Sequence, residues 1–351
     1  MNSIVKEDVA NIIENGGDMW ARFAGKTVLV TGANGLIPYY FVVTLLVLNE
    51  SVLKGRECRV IGLVRNRQKA EAKFQGLLER NDFKLLVQDV TEPMNFSSPV
   101  DFMIHAASQA SPKYYAEDPV GTFLPNVIGT LHLLEIAKRL QSEGFLFVSG
   151  GEIYGVVPDE KIPTKEEDYG WLDPMSVRSC YAEGKRAGET LCVAWHKQHD
   201  VPAVVARLAH TYGPGLDFKD GRVFADFVRD VVQGQDIRLS SDGSATRSFC
   251  YMTDAILGMF MVLLKGERGK AYNVCNDEAC VSIRELAEML VGLFPEKKLS
   301  VKFSGDKAPT GYMKSPISRS CIDSSRLRTL GWRPRVGIRE GFRRTVLSFA
   351  S

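Results

Sequence analysis

The sequence predicts an α/β fold: a doubly wound parallel sheet with a smaller C-terminal α/β subdomain. Three observations carry that prediction. Short apolar runs alternate with helical patterns from residue 26 to residue 208. The runs are continuously hydrophobic, as strands covered on both faces are, and do not switch between polar and apolar. The first of them leads into the turn Thr31-Gly-Ala-Asn-Gly-Leu-Ile-Pro38, which opens a helix.

In chain order, residues 4–23 predict an amphipathic helix, and Gly25 starts the domain proper. Strands are predicted at 26–30, 58–64, 83–88, 101–105, 145–149 and 203–208, and helices at 36–49, 68–80, 121–142 and 181–199. Such alternation argues for parallel strands with helices on both faces. Past Gly213 the rhythm breaks into the turn-rich stretch 213–221, a helix over 223–233, and then short strands and helices. The expected organisation is a helical extension over 1–24, a nucleotide-binding domain over 25–212, and a substrate subdomain over 213–351. Late sheet elements near 245–275, such as 271–274, interleave with it.

A chain of 351 residues suits two domains of roughly 100–200 residues each. A net charge of +2 gives no push towards nucleic acid or a membrane surface. The N-terminus carries Glu7, Asp8, Glu14 and Asp18, unlike a signal peptide. The longest apolar run, 41–48, falls short of the ~20 residues that span a bilayer. Seven cysteines without a CxxC pair read as thiols of a reducing compartment, so a cytoplasmic protein is expected. His196 and His199 stand at metal-ligand spacing, but no third ligand is evident and no metal is expected.

Ligands of open α/β sheets bind beyond the carboxyl ends of the strands, so residues just after each strand are the candidates. Gly32 permits the tight turn after the first strand, and Gly35 lets backbone approach a pyrophosphate at the helix N-terminus. Pro38 stands where a third glycine is usual. The second strand ends in Arg65-Asn66-Arg67 without an acidic residue for ribose hydroxyls. Arg65 and Arg67 either meet a 2′-phosphate or form a solvated basic turn. Asp89, after the third strand, either reaches an adenine or caps its turn. Tyr181 and Lys185, at i and i+4, share one helix face, where an ammonium lowers a phenol's pKa into acid/base range. Glu152, in the loop after the fifth strand, is a carboxylate placed beside the expected nicotinamide.

With these residues in hand, the chain resembles the extended short-chain dehydrogenase/reductase family of nucleotide-sugar epimerases, dehydratases and decarboxylases, over residues 26–342. The resemblance is carried by TGANGLIP, by QDV from Gln88, HAAS from His105, NVIGT from Asn126, GGEIYG from Gly150 and YAEGK from Tyr181. Further on it is carried by RLAHTYGPG from Arg207, DGSATRSFCYMTDA from Asp242, YNV from Tyr272 and LGWRP from Leu330. It implies a Rossmann fold holding NAD, with NADP left open. The implied cofactor residues are Gly32, Asn34, Gly35, Leu36, Ile37, Arg65, Asp89, Val90, Ala106, Ala107, Ser108, Asn126, Ser149, Tyr181, Lys185 and His210. The implied substrate residues are Ser111, Gly150, Gly151, Glu152, His210, Val223 and Arg247, the last as a pyrophosphate ligand.

The implied chemistry is internal redox at a nucleotide sugar, UDP-linked by expectation, through a transient 4-keto sugar. Catalysis would fall to Tyr181, Lys185 and Glu152, in a homodimer joined through helices 121–142 and 181–199. The chain departs from the family where relatives carry a Ser or Thr hydroxyl and this chain has Gly150. It also has Gly151 where dehydratases place Asp, and His210 where asparagine is usual. Decarboxylation of UDP-glucuronate or a close variant is the leading expectation. A 4-epimerase or 4,6-dehydratase is the alternative within the class, and a catalytically silent cofactor-binding sensor the alternative outside it.

Overall fold

The computed structural model describes residues 1–96, 98–303 and 315–350. The six apolar runs become parallel strands β1 (Thr27–Thr31), β2 (Arg59–Val64), β3 (Phe83–Val87), β4 (Phe102–His105), β5 (Gly144–Gly150) and β6 (Ala203–Leu208). Three short strands follow, β7 (His210–Tyr212), β8 (Ile237–Leu239) and β9 (Thr246–Tyr251). Then β10 (Ala271–Val274) returns to the main sheet and pairs with β6 in parallel. The order is β10-β6-β5-β4-β1-β2-β3. It reverses between β1 and β4, which is where a doubly wound sheet leaves a crevice at its carboxyl edge.

The strands are apolar throughout because each residue has a core to enter. Val28 and Val30 of β1 join the core on the face covered by α1 (Ser3–Gly16), α2 (Leu36–Glu50) and α9 (Met252–Lys265), while Leu29 joins the core on the other. The connection after β2 is α3 (Arg67–Lys73), and the one after β4 is α4 (Pro112–Glu117), α5 (Pro119–Leu124) and α6 (Thr130–Leu140). With α7 (Cys180–His199), α6 covers the second face. In the C-terminal part, α8 (Val223–Val232), α10 (Ile283–Leu293) and α12 (Ile338–Leu347) close a separate core around β9. Here β11 (Cys280–Ser282) and β13 (Arg319–Ser320) pair with β9, β12 (Val301–Phe303) pairs with β8, and α11 (Ser325–Arg328) runs beneath β10.

Three predicted helices differ in the structure. The helix at 4–23 ends at Gly16, and Gly17, at φ 54°, turns the chain into a 3-10 segment, Gly17–Phe23, that buries Trp20 and Phe23. The helix at 68–80 stops at Lys73. The helix at 121–142 is interrupted by a π-turn, Pro125–Gly129, because Pro125 has no N–H for the regular ladder. The whole stretch Pro119–Leu140 is long and apolar enough to cross a membrane, but half of its most apolar window is buried in the protein. The cysteine reading also needs correction. Cys280 and Cys321 form a disulfide, their Cα atoms 5.7 Å apart, while Cys58, Cys180, Cys192, Cys250 and Cys275 are free. Residues 41 apart meet there because β11 and β13 both pair with β9.

The first and last helices are latched together. The Asp8 carboxylate of α1 is buried and accepts from Tyr40 Oη at 3.2 Å, Tyr251 Oη at 2.9 Å and Arg344 Nη2 at 2.8 Å. Burial raises the Asp8 pKa, against the lowering effect of these partners.

Candidate active site

A cavity of about 400 Å³ opens at the carboxyl edge of the sheet, over the reversal between β1 and β4. Its floor is backbone. Gly32 sits at φ +65°, and a Cβ there would come within 2.9 Å of the Ala107 Cα, so the turn after β1 and the loop after β4 touch only because residue 32 is glycine. Thr31 ties the two loops together. Its hydroxyl accepts from the N–H groups of Ala106 (3.1 Å) and Ala107 (3.0 Å) and lies 2.9 Å from His105 Nδ1. The other ring nitrogen, Nε2, is 3.1 Å from the Pro125 carbonyl and must donate to it. Nδ1 is then the acceptor for the Thr31 O–H. Burial first, and Lys185 second, push the His105 pKa down to about 3, which keeps this neutral tautomer. Gly35 caps α2, so the free N–H groups of the helix's first turn face the cavity. Pro38 fits within that turn at no cost in hydrogen bonding.

The catalytic candidates come from β5 and α7. Tyr181 and Lys185 are buried one helical turn apart, and both line the cavity. The expected lowering of the phenol by Lys185 is not what the structure produces. The lysine Nζ donates to the Val148 carbonyl at 2.6 Å and lies 4.8 Å over the Phe147 ring. Burial, and then Glu152, push the Tyr181 phenol above its ordinary value, while Arg222 and Arg178 oppose the rise. Burial lowers Lys185 to about 7, with Glu189 opposing. Glu152, in the 3-10 turn Gly151–Tyr154 after β5, lines the cavity and accepts from Arg178 Nη1 at 2.8 Å. Ser149 is turned away: its hydroxyl donates to Glu189 Oε1 at 2.5 Å, beside the ion pair of Glu189 with Arg207.

The fold brings most predicted site residues to this one cavity. Gly32, Gly35, Leu36, Ile37, Arg65, Ala106, Ser108, Ser111, Ser149, Gly150, Gly151, Glu152, Tyr181, Lys185 and His210 all line it. Asn34, Asp89, Val90, Ala107, Asn126, Val223 and Arg247 do not. Asp89 caps the turn at Thr91 (2.9 Å) and stands 3.8 Å from Arg65, while Val90 is packed into the core. Ala107 contributes its backbone to the Thr31 hydroxyl, and Asn126 is buried on the Thr122 carbonyl. Val223 starts α8 on the surface. Arg247 donates to the carbonyls of Thr246, Ile317 and Ser318. Arg67 pairs with Glu71 along α3. His210 is held neutral, its pKa lowered to about 3 by burial, then by Arg247 and Arg222.

Sequence reasoning missed Arg222 and Asp220, neighbours in one loop at the cavity wall joined by a two-pronged ion pair, and Tyr115, stacked on Tyr181. The Ser111 hydroxyl donates to the Asp220 carbonyl and fixes that rim. Only a basic residue before a helix start hinted at Arg222, and such residues are common on surfaces.

The fold and cavity define a dinucleotide-binding enzyme with a Tyr–Lys pair at its centre. The sequence model of the NAD dependent epimerase/dehydratase family matches residues 28–275, and the chain belongs to that family. It is 34% identical over 316 residues to UDP-glucuronic acid decarboxylase 6 of Arabidopsis thaliana, covering 90% of this chain and 86% of that protein. It is 32% identical to UDP-glucuronic acid decarboxylase 1 of Xenopus tropicalis, covering 92% and 72%. Among solved structures it resembles UDP-glucose 4-epimerase of Thermotoga maritima with UDP-glucose (TM-score 0.76, 22% identity, covering 92% and 98%). It also resembles the NAD complex of UDP-glucose 4-epimerase from Thermus thermophilus (TM-score 0.72, 26% identity, covering 93% and 99%). The cofactor of this enzyme is NAD, and the site fits it. Gly32 leaves a cradle that a Cβ would fill, and the Ser108 hydroxyl, at the cavity wall, is buried without a hydrogen-bond partner among the described residues.

Proposed function

We propose that the enzyme decarboxylates a UDP-linked uronic acid, UDP-glucuronate or a close variant, by way of a transient 4-keto sugar. The observation that carries this reading is Glu152 beside Tyr181 in one cavity, with glycine at 151 instead of the acid a dehydratase needs to protonate a leaving hydroxyl. Tyr181, ionised against the pull of burial with the Arg222 and Arg178 guanidiniums beside it, takes the proton of the sugar's 4-hydroxyl. When bound, NAD would supply the redox chemistry at that carbon, as hydride acceptor and then donor. Lys185 would hold the cofactor ribose; in this structure its Nζ donates to the Val148 carbonyl at 2.6 Å. Once carbon 4 is a ketone, the neighbouring carboxylate belongs to a β-keto acid. Its C–C bond breaks, carbon dioxide leaves, and the electron pair stays as an enolate. Glu152 is the group within the cavity that handles the proton at that carbon.

Gly32, Gly35, Leu36 and Ile37 would hold the pyrophosphate, with Ala106 and Ser108 along the ribose side. The same reading makes the protein a homodimer joined through the 119–140 helical stretch and α7. The exposed apolar residues Val120, Leu124 and Val193 support that interface. The test is to incubate the purified enzyme with UDP-glucuronate and follow carbon dioxide and the nucleotide sugars by mass spectrometry. Release of carbon dioxide with a UDP-pentose is expected. Loss of water, or turnover with no change of mass, would replace this reading with a dehydratase or an epimerase.

A further inference from the structure

Arg178 lies in the 3-10 turn Val177–Ser179 that leads into α7. It does not line the cavity, and 11% of its side chain is exposed. It nevertheless touches two groups that do. Nη1 donates to Glu152 Oε2 at 2.8 Å, and the guanidinium carbon stands 4.7 Å over the Tyr115 ring. Tyr115 stacks in turn on Tyr181, with ring centroids 5.3 Å apart and planes 19° from parallel. The three side chains form layers, and the acidic candidate is tied to the outermost one.

Two further features show that this arrangement serves the site. The Arg178 Nε–H is buried and meets no hydrogen-bond partner among the described residues, a costly state for a buried donor. An arginine kept for stability alone would be turned to satisfy its donors, as Arg207 is by Glu189, the Glu166 carbonyl and two tyrosine hydroxyls. Tyr181 has no hydrogen bond to its hydroxyl among the described residues, and Gly150, next to it, has no side chain to offer one. The orientation of the phenol therefore rests on what its ring packs against, and that ring is Tyr115.

We infer that Arg178 is the positioning residue of this active site, fixing the Glu152 carboxylate directly and the plane of Tyr181 through the Tyr115 ring. The charged and titratable groups facing Tyr181 are Glu152 after β5, Arg178 before α7 and Arg222 before α8. Lys185 lies a turn further along α7, and Tyr115 faces it from α4. Arg178 is one of two guanidiniums that favour the phenolate there, so its loss makes the phenol harder to ionise. Arginine's planar group stacks on a ring, which a lysine ammonium does not reproduce.

The test uses the full-length, NAD-loaded enzyme with Arg178→Met and Arg178→Lys, read by turnover of UDP-glucuronate and by crystal structure. In Arg178→Met, kcat is expected to fall about tenfold or more while KM stays within about threefold. The acid limb of the kcat–pH profile should move to higher pH. Arg178→Lys should restore part of the profile shift and little of the rate. In the crystal structure of either variant, the Glu152 carboxylate or the Tyr181 ring should move by about 1 Å, a displacement large enough to matter for catalysis. Unchanged kcat and profile in Arg178→Met, or unmoved Glu152, Tyr115 and Tyr181 in both variants, would overturn the inference. The turnover arm rests on the proposed function and the crystallographic arm does not. A wild-type enzyme that ignores UDP-glucuronate therefore removes the former and leaves the structures to decide on Arg178.

Discussion

One wall of the cavity, the side proposed for the cofactor, is made chiefly of backbone, and the opposite one, proposed for the substrate, of charge. Gly32 and Ala107 touch through main-chain atoms, the Thr31 hydroxyl binds two N–H groups, and the start of α2 presents more. Across from them stand Glu152 with Arg178, and Asp220 with Arg222, each a pair assembled from one or two loops. A pyrophosphate is the same in every relative, and fixed backbone donors suit it. The sugar and its reacting carbon differ between relatives, and side chains can be exchanged without disturbing the sheet.

Tyr181 belongs to both sides, and its removal has the largest effect. Tyr181→Phe should lower kcat by ~10²–10⁴ and leave NAD bound, as read by cofactor released on denaturation. Turnover close to wild type would break the assigned role. The comparison sharpens when the same change is made on each side. Gly32→Ala puts a Cβ 2.9 Å from backbone at φ +65°, a strain of roughly 1–2 kcal/mol, and should cost the protein its NAD. Gly150 is extended, at φ −150°, and its Cβ would be tight only against the Tyr181 hydroxyl, at 3.1 Å, with Tyr181 Cε1 and the Leu208 carbonyl in ordinary contact at 3.8 and 3.9 Å. Gly150→Ala should therefore retain NAD and lose less than about tenfold in kcat, equivalent to under ~1.4 kcal/mol. If the two variants lose cofactor equally, the division between the walls fails.

The smallest effect expected is on stability. In the folded, cofactor-free protein Lys185 titrates at about 7, against 10.5 ordinarily. Between those values the unfolded chain binds more protons, so stability rises with pH across that window and is lowest below it. Lys185→Met should abolish the slope and stabilise the protein at neutral pH by ~0.5–2 kcal/mol while ending turnover. Thermal melts from pH 7 to 10 would check this, and an unchanged slope would mean that the ammonium is not the cause.

The strands were legible because a strand buried on both faces has no polar positions, and each predicted run from 26 to 208 lies in the sheet. The helix over 121–142 hid a π-turn, since apolar spacing says nothing of the N–H that Pro125 lacks. In the site, the i, i+4 spacing placed Tyr181 and Lys185 on one face, and position after a strand placed Glu152. The direction of the lysine was not legible, because the Val148 carbonyl that accepts its hydrogen bond comes from β5. Arg178 and Glu152 are 26 residues apart, and Ser111 meets the Asp220 carbonyl across 109. No local pattern marks such pairs. The disulfide escaped for the same reason, since the cysteines were judged by motif and composition rather than by strand pairing.

Asp8 and Arg344 stand 336 residues apart in sequence, and their ion pair joins α1 to α12. Tyr251 and Tyr40, the other donors to Asp8, belong to elements between them. During synthesis α1 leaves the ribosome long before α12, so its buried carboxylate lacks its cation until α12 follows. The seat of α1 is thus completed only by α12, and a chain cut short before α12 leaves the Asp8 carboxylate without its cation.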